Sequence, residues 1–133
     1  ARASQDNYAT RPMSGLGTPY YCSPEQMADA ASVDFPADIY ALGATMYHML
    51  TGRPPFDAKT RTQVLRLHRR AQPPHPRLLN KHASEDISQL ILSMLAKKPE
   101  NRPVSHLELL SRLHACLHKL RDRLEETDYH QGT

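Results

Sequence analysis

The sequence predicts a mainly α-helical domain, and three observations support that prediction. Serines stand where helices can begin, an apolar run encircles one predicted helix, and no stretch alternates polar and apolar residues as a half-buried β-strand would. The chain has 133 residues, 39% hydrophobic and 23% charged, as expected for one globular unit. Its 17 basic and 14 acidic side chains are interleaved, which argues against a dedicated nucleic-acid binder.

Hydropathy and cysteine content indicate in which cellular compartment the chain is expected. Residues 39–52 form the longest run without charge or proline, and they are too few and too polar to cross a bilayer, which requires roughly 20 apolar residues. Cys22 and Cys116 are far apart in the sequence, which favours a reduced, cytoplasmic compartment. Residues 1–17 resemble the middle of a loop, so we expect the chain to be part of a longer protein.

A long polar loop and a short helix are the first predicted elements. Residues 1–22 are rich in hydroxyl side chains and are interrupted by proline and glycine, as loops are. Ser23 is suited to cap a helix, Pro24 fits its first position, and Gln26 could complete a capping box.

The next predicted element is a buried helix. After a turn at residues 34–36, residues 37–50 are apolar around the whole helical circumference, and Gly52 ends the run. A helix that is apolar on every side must be covered on every side.

Two further helices are predicted in the second half. Residues 60–70 indicate a basic surface helix, and the prolines of residues 72–79 indicate a loop. Ser84 then caps a helix whose Glu85 and Asp86 suit its positive end. Its apolar stripe consists of Ile87, Leu90, Ile91, Met94 and Leu95.

A last, long helix follows a loop at residues 97–103. Ser105 and Glu108 form a capping-box pattern, and the helical pattern extends to Glu126. Leucines alternate at spacings of three and four, which suits either a coiled-coil seam or a face packed on the domain: Leu110, Leu113, Leu117, Leu120 and Leu124. The run is shorter than the three or four heptads of a convincing coiled coil, so we favour packing on the domain.

Four short motifs follow one another along the chain. Residues 17–25 read Gly-Thr-Pro-Tyr-Tyr-Cys-Ser-Pro-Glu and residues 38–43 read Asp-Ile-Tyr-Ala-Leu-Gly. Residues 50–56 read Leu-Thr-Gly-Arg-Pro-Pro-Phe and residues 99–103 read Pro-Glu-Asn-Arg-Pro. In this order the motifs resemble the C-terminal lobe of eukaryotic-like (Hanks-type) serine/threonine protein kinases, and bacterial members most of all. The first is similar to the end of an activation segment, the second to the D-x-W-x-x-G of the central buried helix with Tyr for Trp, and the last two to the turn after that helix and the loop before the last helix.

The resemblance implies a fold and a division of the chain. We expect the helical C-terminal lobe of the kinase fold without its N-terminal lobe and catalytic loop. Residues 1–25 would be the activation segment and substrate-docking loop, residues 26–115 the helical part of the lobe, and residues 116–133 a helical extension or linker.

The resemblance also assigns a docking role to the segment before Ser-Pro-Glu. Thr18 matches the threonine that hydrogen-bonds the catalytic aspartate of the family, so it supports catalysis although no catalytic residue is in this chain. The neighbouring Gly17, Pro19 and Tyr21 complete the expected substrate-docking surface.

Structural and regulatory roles are implied for five further residues. Glu25 and Arg102 match an ion pair that ties the activation segment to the lobe. Asp38 matches an aspartate that accepts backbone hydrogen bonds from the catalytic loop, or it is simply an acid favoured by the helix dipole. Thr10 and Ser14 are candidate phosphorylation sites.

The chain also departs from the family pattern. His48 stands where many kinases that select basic substrates have a glutamate, which weakens any expectation of arginine-rich substrates. Because covering segments of the family precede this sequence, we expect an exposed apolar strip along residues 39–50. The basic residues of positions 59–77 are expected to form a solvated face or to dock an acidic partner.

The implied activity is transfer of the ATP γ-phosphoryl group to protein Ser or Thr. The sequence contains no G-x-G-x-x-G, no V-A-I-K lysine, no H-R-D loop and no D-F-G. ATP and Mg²⁺ are therefore expected for the parent kinase, none for this chain alone, and no metal site is expected. Protein substrates and the rest of the kinase domain are the expected partners. The alternatives are a pseudokinase-like scaffold or a helical interaction module.

Overall fold

A computed structural model describes residues 18–28 and 34–132, and within these ranges the chain is helical without β-strands. This confirms the mainly α prediction. The helices are α1 (Pro24–Ala28), α2 (Phe35–Thr51), α3 (Arg61–Arg70), α4 (Pro76–Leu79), α5 (Glu85–Met94), a 3₁₀ turn (Pro99–Asn101) and α6 (His106–Gln131).

Side-chain caps explain where the helices begin. The Gln26 side-chain oxygen accepts hydrogen bonds from the Ser23 backbone N–H at 3.1 Å and from its hydroxyl at 3.0 Å, so Gln26 closes the first turn of α1. Helix α2 begins two residues before the predicted start, because the Asp34 carboxylate accepts the Ala37 N–H at 3.1 Å. It ends at Gly52, whose φ of 82° is left-handed.

The core lies between α2 and α5. Ile39, Tyr40 and Tyr47 of α2 are buried, as is the predicted apolar stripe of α5 except for the half-buried Ile87. The two helices approach closely at Gly43, where an added Cβ would lie 2.7 Å from the Met94 Cβ. Glycine is therefore required there by packing rather than by backbone conformation.

Two predicted loops contain short helical turns. Helix α4 occupies the end of residues 72–79, because His75 Nδ1 accepts the Arg77 N–H at 3.2 Å and Pro76 supplies the first position. The 3₁₀ turn lies inside residues 97–103 and closes through the Arg102 N–H to the Pro99 carbonyl.

Helix α6 is longer than predicted and packs differently. It continues five residues past Glu126, and its buried side is formed by Leu109 and Cys116 with Leu113 packed against the same core. The favoured interpretation of the leucine seam is wrong for the other members, which are 41–59% exposed: Leu110, Leu117, Leu120 and Leu124. The packed stripe runs beside the seam, sharing only Leu113 with it.

The predicted exposed strip on α2 is narrower than expected. Leu42 and Met49 are 42% and 80% exposed, on one helical face with the exposed Asp38 and Thr45. The other sides of α2 are covered within the chain, chiefly by α5.

Candidate functional site

Arg102 lies at the centre of the candidate site and contacts several of its residues. Its side chain has no solvent exposure, and it lies where the 3₁₀ turn meets the start of α2. Its Nη1 and Nη2 donate to the two carboxylate oxygens of Glu25 at 2.5 and 2.9 Å. The remaining donors reach backbone carbonyls of Pro36 at 2.8 Å, Ala96 at 2.8 Å and Lys97 at 3.2 Å. All the guanidinium N–H groups are thus used.

This geometry fixes Glu25 as an anion. Burial raises the pKa of its carboxyl, but the hydrogen bonds and charge of Arg102 outweigh burial and lower the pKa below its usual value. The predicted pairing of Glu25 with Arg102, 77 positions apart, is present and bidentate. It ties the first turn of α1 to the base of the lobe.

A buried aromatic layer lies against this ion pair. The Arg102 guanidinium lies 4.9 Å from the centre of the Tyr40 ring, and the Tyr40 hydroxyl is 2.6 Å from His68 Nδ1. Burial, and next the positive charge of Lys97, lower the pKa of His68 to about 4, against the opposing effect of the Pro19 and Tyr20 backbone. His68 is therefore neutral at physiological pH.

Lys97 connects this layer to the end of α3. Its ammonium donates to the His68 carbonyl at 2.7 Å and lies 4.4 Å from the centre of the Phe56 ring. Burial, and then the charge of Arg102, lower the pKa of Lys97 to about 8. Lys97 thus satisfies a carbonyl at the negative end of α3, where a cation is favourable.

The other end of the Thr18–Glu25 segment is open to solvent. Thr18 is exposed, Pro19 is half-buried, and Tyr21 is 40% exposed. A turn is closed by the Tyr20 N–H and the Thr18 carbonyl at 3.0 Å. The hydroxyl of Thr18 and the ring of Tyr21 therefore lie on a surface that a bound chain could reach.

Two exposed contacts hold this surface against the lobe. The Tyr21 hydroxyl lies 2.9 Å from His48 Nδ1, and the two rings stack with their centres 6.1 Å apart. The Tyr20 hydroxyl donates to Asp57 Oδ1 at 3.3 Å. Each tyrosine thus has one exposed hydroxyl contact with the lobe, supplemented at Tyr21 by the ring stack, whereas both carboxylate oxygens of Glu25 accept hydrogen bonds from a buried guanidinium.

The remaining predicted site residues are separated from this cluster or undescribed. Asp38 is exposed in the first turn of α2, next to the Asp34 cap, so both of its proposed interpretations stay predictions. Gly17, Thr10 and Ser14 lie outside the described residues.

Sequence reasoning missed the roles of His68 and Lys97. The composition of α3 does not suggest that its histidine is buried. The helix contains four arginines, and such a helix is expected to be exposed. The one signal in the sequence was helical spacing. Position 68 lies four residues, about one turn, after the apolar Val64, so His68 and Val64 share the inner face of the helix.

The described residues offer no site for a metal ion, since no group of three His, Cys, Asp or Glu side chains comes together among them. None of the described helices combines the length and hydropathy that a membrane span requires. The anchored segment and its exposed edge form a surface suited to contact with an extended chain.

Comparison with known proteins identifies a family and several relatives that are similar to this chain. A family model described as the protein kinase domain matches residues 2–114. The serine/threonine-protein kinase PknB of Mycobacterium tuberculosis is 40% identical over 102 residues, covering 77% of this chain and 16% of the relative. The DNA damage-responsive serine/threonine-protein kinase RqkA of Deinococcus radiodurans is 38% identical over 117 residues, covering 84% and 17%. The chain thus spans about a sixth of their length.

A solved structure is similar as well. The crystal structure of Rad53 1–466 in complex with AMP-PNP aligns with a TM-score of 0.57 and 27% sequence identity. The alignment covers 71% of this chain and 26% of that one.

Proposed function

Because the chain belongs to the protein kinase family, we propose that it supplies the activation-segment and substrate-docking part of a serine/threonine kinase. The parent protein would transfer the ATP γ-phosphoryl group to Ser or Thr of a protein substrate. The observation that carries the proposal is the anchored segment itself, in which Glu25 is fixed by Arg102 while Thr18 and Tyr21 stay exposed.

Anchoring matters because phosphoryl transfer depends chiefly on positioning. A kinase contributes little covalent chemistry, so a substrate hydroxyl must be held in line with the phosphoryl group. A loop fixed at Glu25 and open at Thr18 gives a peptide a defined edge to bind. In this proposal Thr18, Pro19, Tyr21 and Gly17 form that edge, and the Thr18 hydroxyl supports the catalytic aspartate of the parent protein.

The nucleotide side of the reaction is assigned to the parent protein. The sequence lacks the glycine-rich loop, the lysine and the H-R-D and D-F-G motifs, so its residues do not fit ATP or Mg²⁺. We therefore expect no phosphoryl transfer by this chain alone. The rest of the kinase domain would be its partner, in the cytoplasm.

The proposal extends to substrate class through His48. This side chain contacts Tyr21 at the docking surface, at the position where many basic-directed kinases have a carboxylate. An imidazole offers an arginine no charge complement. We propose that the parent kinase does not select arginine-rich substrates.

Regulation would act on the part of the segment before Thr18. A phosphate on Thr10 or Ser14 adds about −1.5 to −2 charges and could order the loop against arginines of the parent protein. Phosphopeptide mapping of the active parent should find phosphate on one of these residues. An active enzyme with both residues unmodified would contradict this part of the proposal.

A chimera tests the docking role directly. The chain would replace the matching segment of the mycobacterial kinase PknB, and the phosphorylation rate of a protein substrate would be measured. We expect the chimera to be active, Thr18→Ala to lower kcat/KM at least tenfold, and Thr18→Ser to retain activity.

Two controls give the result its meaning. Thr62→Ala changes an exposed threonine of α3 outside the site and should leave the rate unchanged. The 133-residue chain incubated alone with ATP and Mg²⁺ should transfer no phosphate. A folded but inactive chimera would favour a pseudokinase-like scaffold or a helical interaction module, and transfer by the isolated chain would overturn the division of roles.

A further inference from the structure

The imidazole of His68 is buried, and one of its two nitrogens is not used. The residue has no solvent exposure, and its Nδ1 lies 2.6 Å from the Tyr40 hydroxyl. Among the side chains that the structure describes, His68 Nε2 is the one buried nitrogen or oxygen without a hydrogen-bond partner. Because a buried polar atom without a partner is rare in native proteins, this nitrogen requires an explanation.

The surroundings of the ring place it beside the backbone of Pro19 and Tyr20. The Phe56 ring packs edge-on against His68 with the ring centres 4.9 Å apart, and the next residue, Asp57, accepts the Tyr20 hydroxyl at 3.3 Å. The backbone of Pro19 and Tyr20 raises the pKa of His68, as neighbouring hydrogen-bond acceptors do. No described residue donates a hydrogen bond to either of these two carbonyls. The unused nitrogen and the unused carbonyls are therefore neighbours.

The Tyr40 hydroxyl decides which nitrogen of His68 carries the ring proton. A neutral imidazole has one N–H, and the hydroxyl has one proton to donate. Among the described residues, His68 Nδ1 is the only acceptor for that buried hydroxyl, so the hydroxyl donates and Nδ1 accepts. The ring proton is then on Nε2, the nitrogen available to the carbonyls. The opposite tautomer would leave the Tyr40 proton without an acceptor in the interior.

We propose that His68 is a positioning residue for the protein substrate: when a peptide binds along residues 18–21, the Nε2–H closes a hydrogen bond to the Pro19 carbonyl. The inference rests on the proposed function and deepens it. Residues 18–21 are held to the lobe by exposed contacts of Tyr20 and Tyr21, so they can settle onto the lobe while Glu25 stays fixed. The peptide lies on the exposed side of the segment, and His68 supports its buried side.

Nitrogen-15 NMR of the 133-residue chain at pH 7 tests the tautomer without any kinase activity. We expect a neutral His68 ring with its proton on Nε2 and none on Nδ1, assigned by the resonances that are lost in His68→Gln. A ring proton on Nδ1 would overturn the proposal, because Nε2 would then have no hydrogen to donate.

Two amide variants test the positioning role in the PknB chimera. The amide nitrogen of His68→Gln reaches the place of Nε2, whereas the shorter His68→Asn replaces Nδ1 and leaves the place of Nε2 empty. We expect His68→Asn to raise KM for the protein substrate at least fivefold at unchanged kcat, and His68→Gln to keep KM within twofold. His118→Asn, at a histidine with an exposed side chain on α6, is the matched control and should change neither constant. Equal KM values for the two His68 variants, or a fall in kcat at unchanged KM, would indicate a merely structural role and overturn the proposal.

The unaltered chimera decides the question if His68→Asn does not fold. Saturating protein substrate should move the His68 Nε2 proton resonance downfield and slow its exchange with water, because a hydrogen bond forms. An unchanged resonance in a chimera that phosphorylates this substrate would overturn the positioning role alone. A folded chimera without activity would contradict the proposed function, and the positioning role with it.

Discussion

The two ends of the Thr18–Glu25 segment differ in how the protein holds them. At one end, Glu25 is fixed by two hydrogen bonds from a guanidinium with no solvent exposure, and backbone carbonyls use the rest of its donors. At the other end, the hydroxyls of Tyr20 and Tyr21 each make one exposed contact with the lobe, and the Tyr21 ring also stacks on His48. Only three residues separate Tyr21 from Glu25 in the sequence.

The difference shows how one loop can be both fixed and available. A buried, fully paired anchor resists change because breaking it leaves a charge without a partner. An exposed single hydrogen bond exchanges with water at little cost, so a bound peptide can replace it. Residues 23–25 therefore form the anchored part of the segment, and residues 18–21 form the part to which we assign recognition in the proposed function.

The largest expected effect comes from removing the anchor. Arg102→Ala should lower the free energy of unfolding by about 3–5 kcal/mol, because Glu25 and three backbone carbonyls lose the buried guanidinium that pairs with them. Urea unfolding followed by circular dichroism measures the change.

Arg112→Ala is the control for the anchor. Arg112 is half-buried and makes a single hydrogen bond to Ser93, so its removal should cost less than about 1.5 kcal/mol. If both variants lose the same stability, Arg102 is not a special anchor and the contrast between the two ends fails.

The next effect concerns the buried layer beneath the segment and appears in acid. The pKa of His68 is lowered to about 4, whereas the unfolded chain binds the proton near pH 6.5. Its contribution to stability is therefore complete above pH 6.5 and is lost as the pH falls toward 4. We expect the free energy of unfolding to fall by about 2–3 kcal/mol between pH 6.5 and 4.5.

Replacement of single histidines identifies the group responsible for this pH dependence of the free energy of unfolding. His68→Gln should flatten it, whereas His118→Gln, at a histidine with an exposed side chain on α6, should leave it unchanged. The pKa of Glu25 is lowered in the folded state, and in the unfolded chain its carboxylate binds a proton only at the acid end of this window, near pH 4.5, so Glu25 adds little over most of the range. A slope that survives His68→Gln would place the titrating group elsewhere.

The helices were predictable because their boundaries are local chemistry. Ser23, Asp34 and Ser84 act within four residues of the backbone groups they cap, and Gly52 ends α2 through its own backbone conformation. The pairing of Glu25 with Arg102 is different. No local pattern joins residues 77 positions apart, and only the family resemblance predicted it.

The parts that were missed depend on which face of a helix meets its neighbour. In α6 the helical period identified an apolar side, but the packed stripe of Leu109, Leu113 and Cys116 lies beside the predicted seam. A shift of one residue, about 100° around the axis, separates Leu109 from Leu110. Periodicity cannot choose between such neighbouring stripes, since the position of α5 decides it.

The smallest expected effect compares the same atomic change at two tyrosines. Tyr21→Phe deletes an exposed hydroxyl that contacts His48, so the free energy of unfolding should change by less than about 0.5 kcal/mol. Tyr47→Phe deletes a hydroxyl that donates to the Pro74 carbonyl at 2.8 Å from a buried ring, and about 1–3 kcal/mol should be lost. In the kinase chimera the order should reverse, with Tyr21→Phe raising KM for protein substrate and Tyr47→Phe leaving it unchanged. A Tyr21→Phe variant that loses as much stability as Tyr47→Phe would show that the exposed end is also an anchor, and the separation of recognition from stability would not hold.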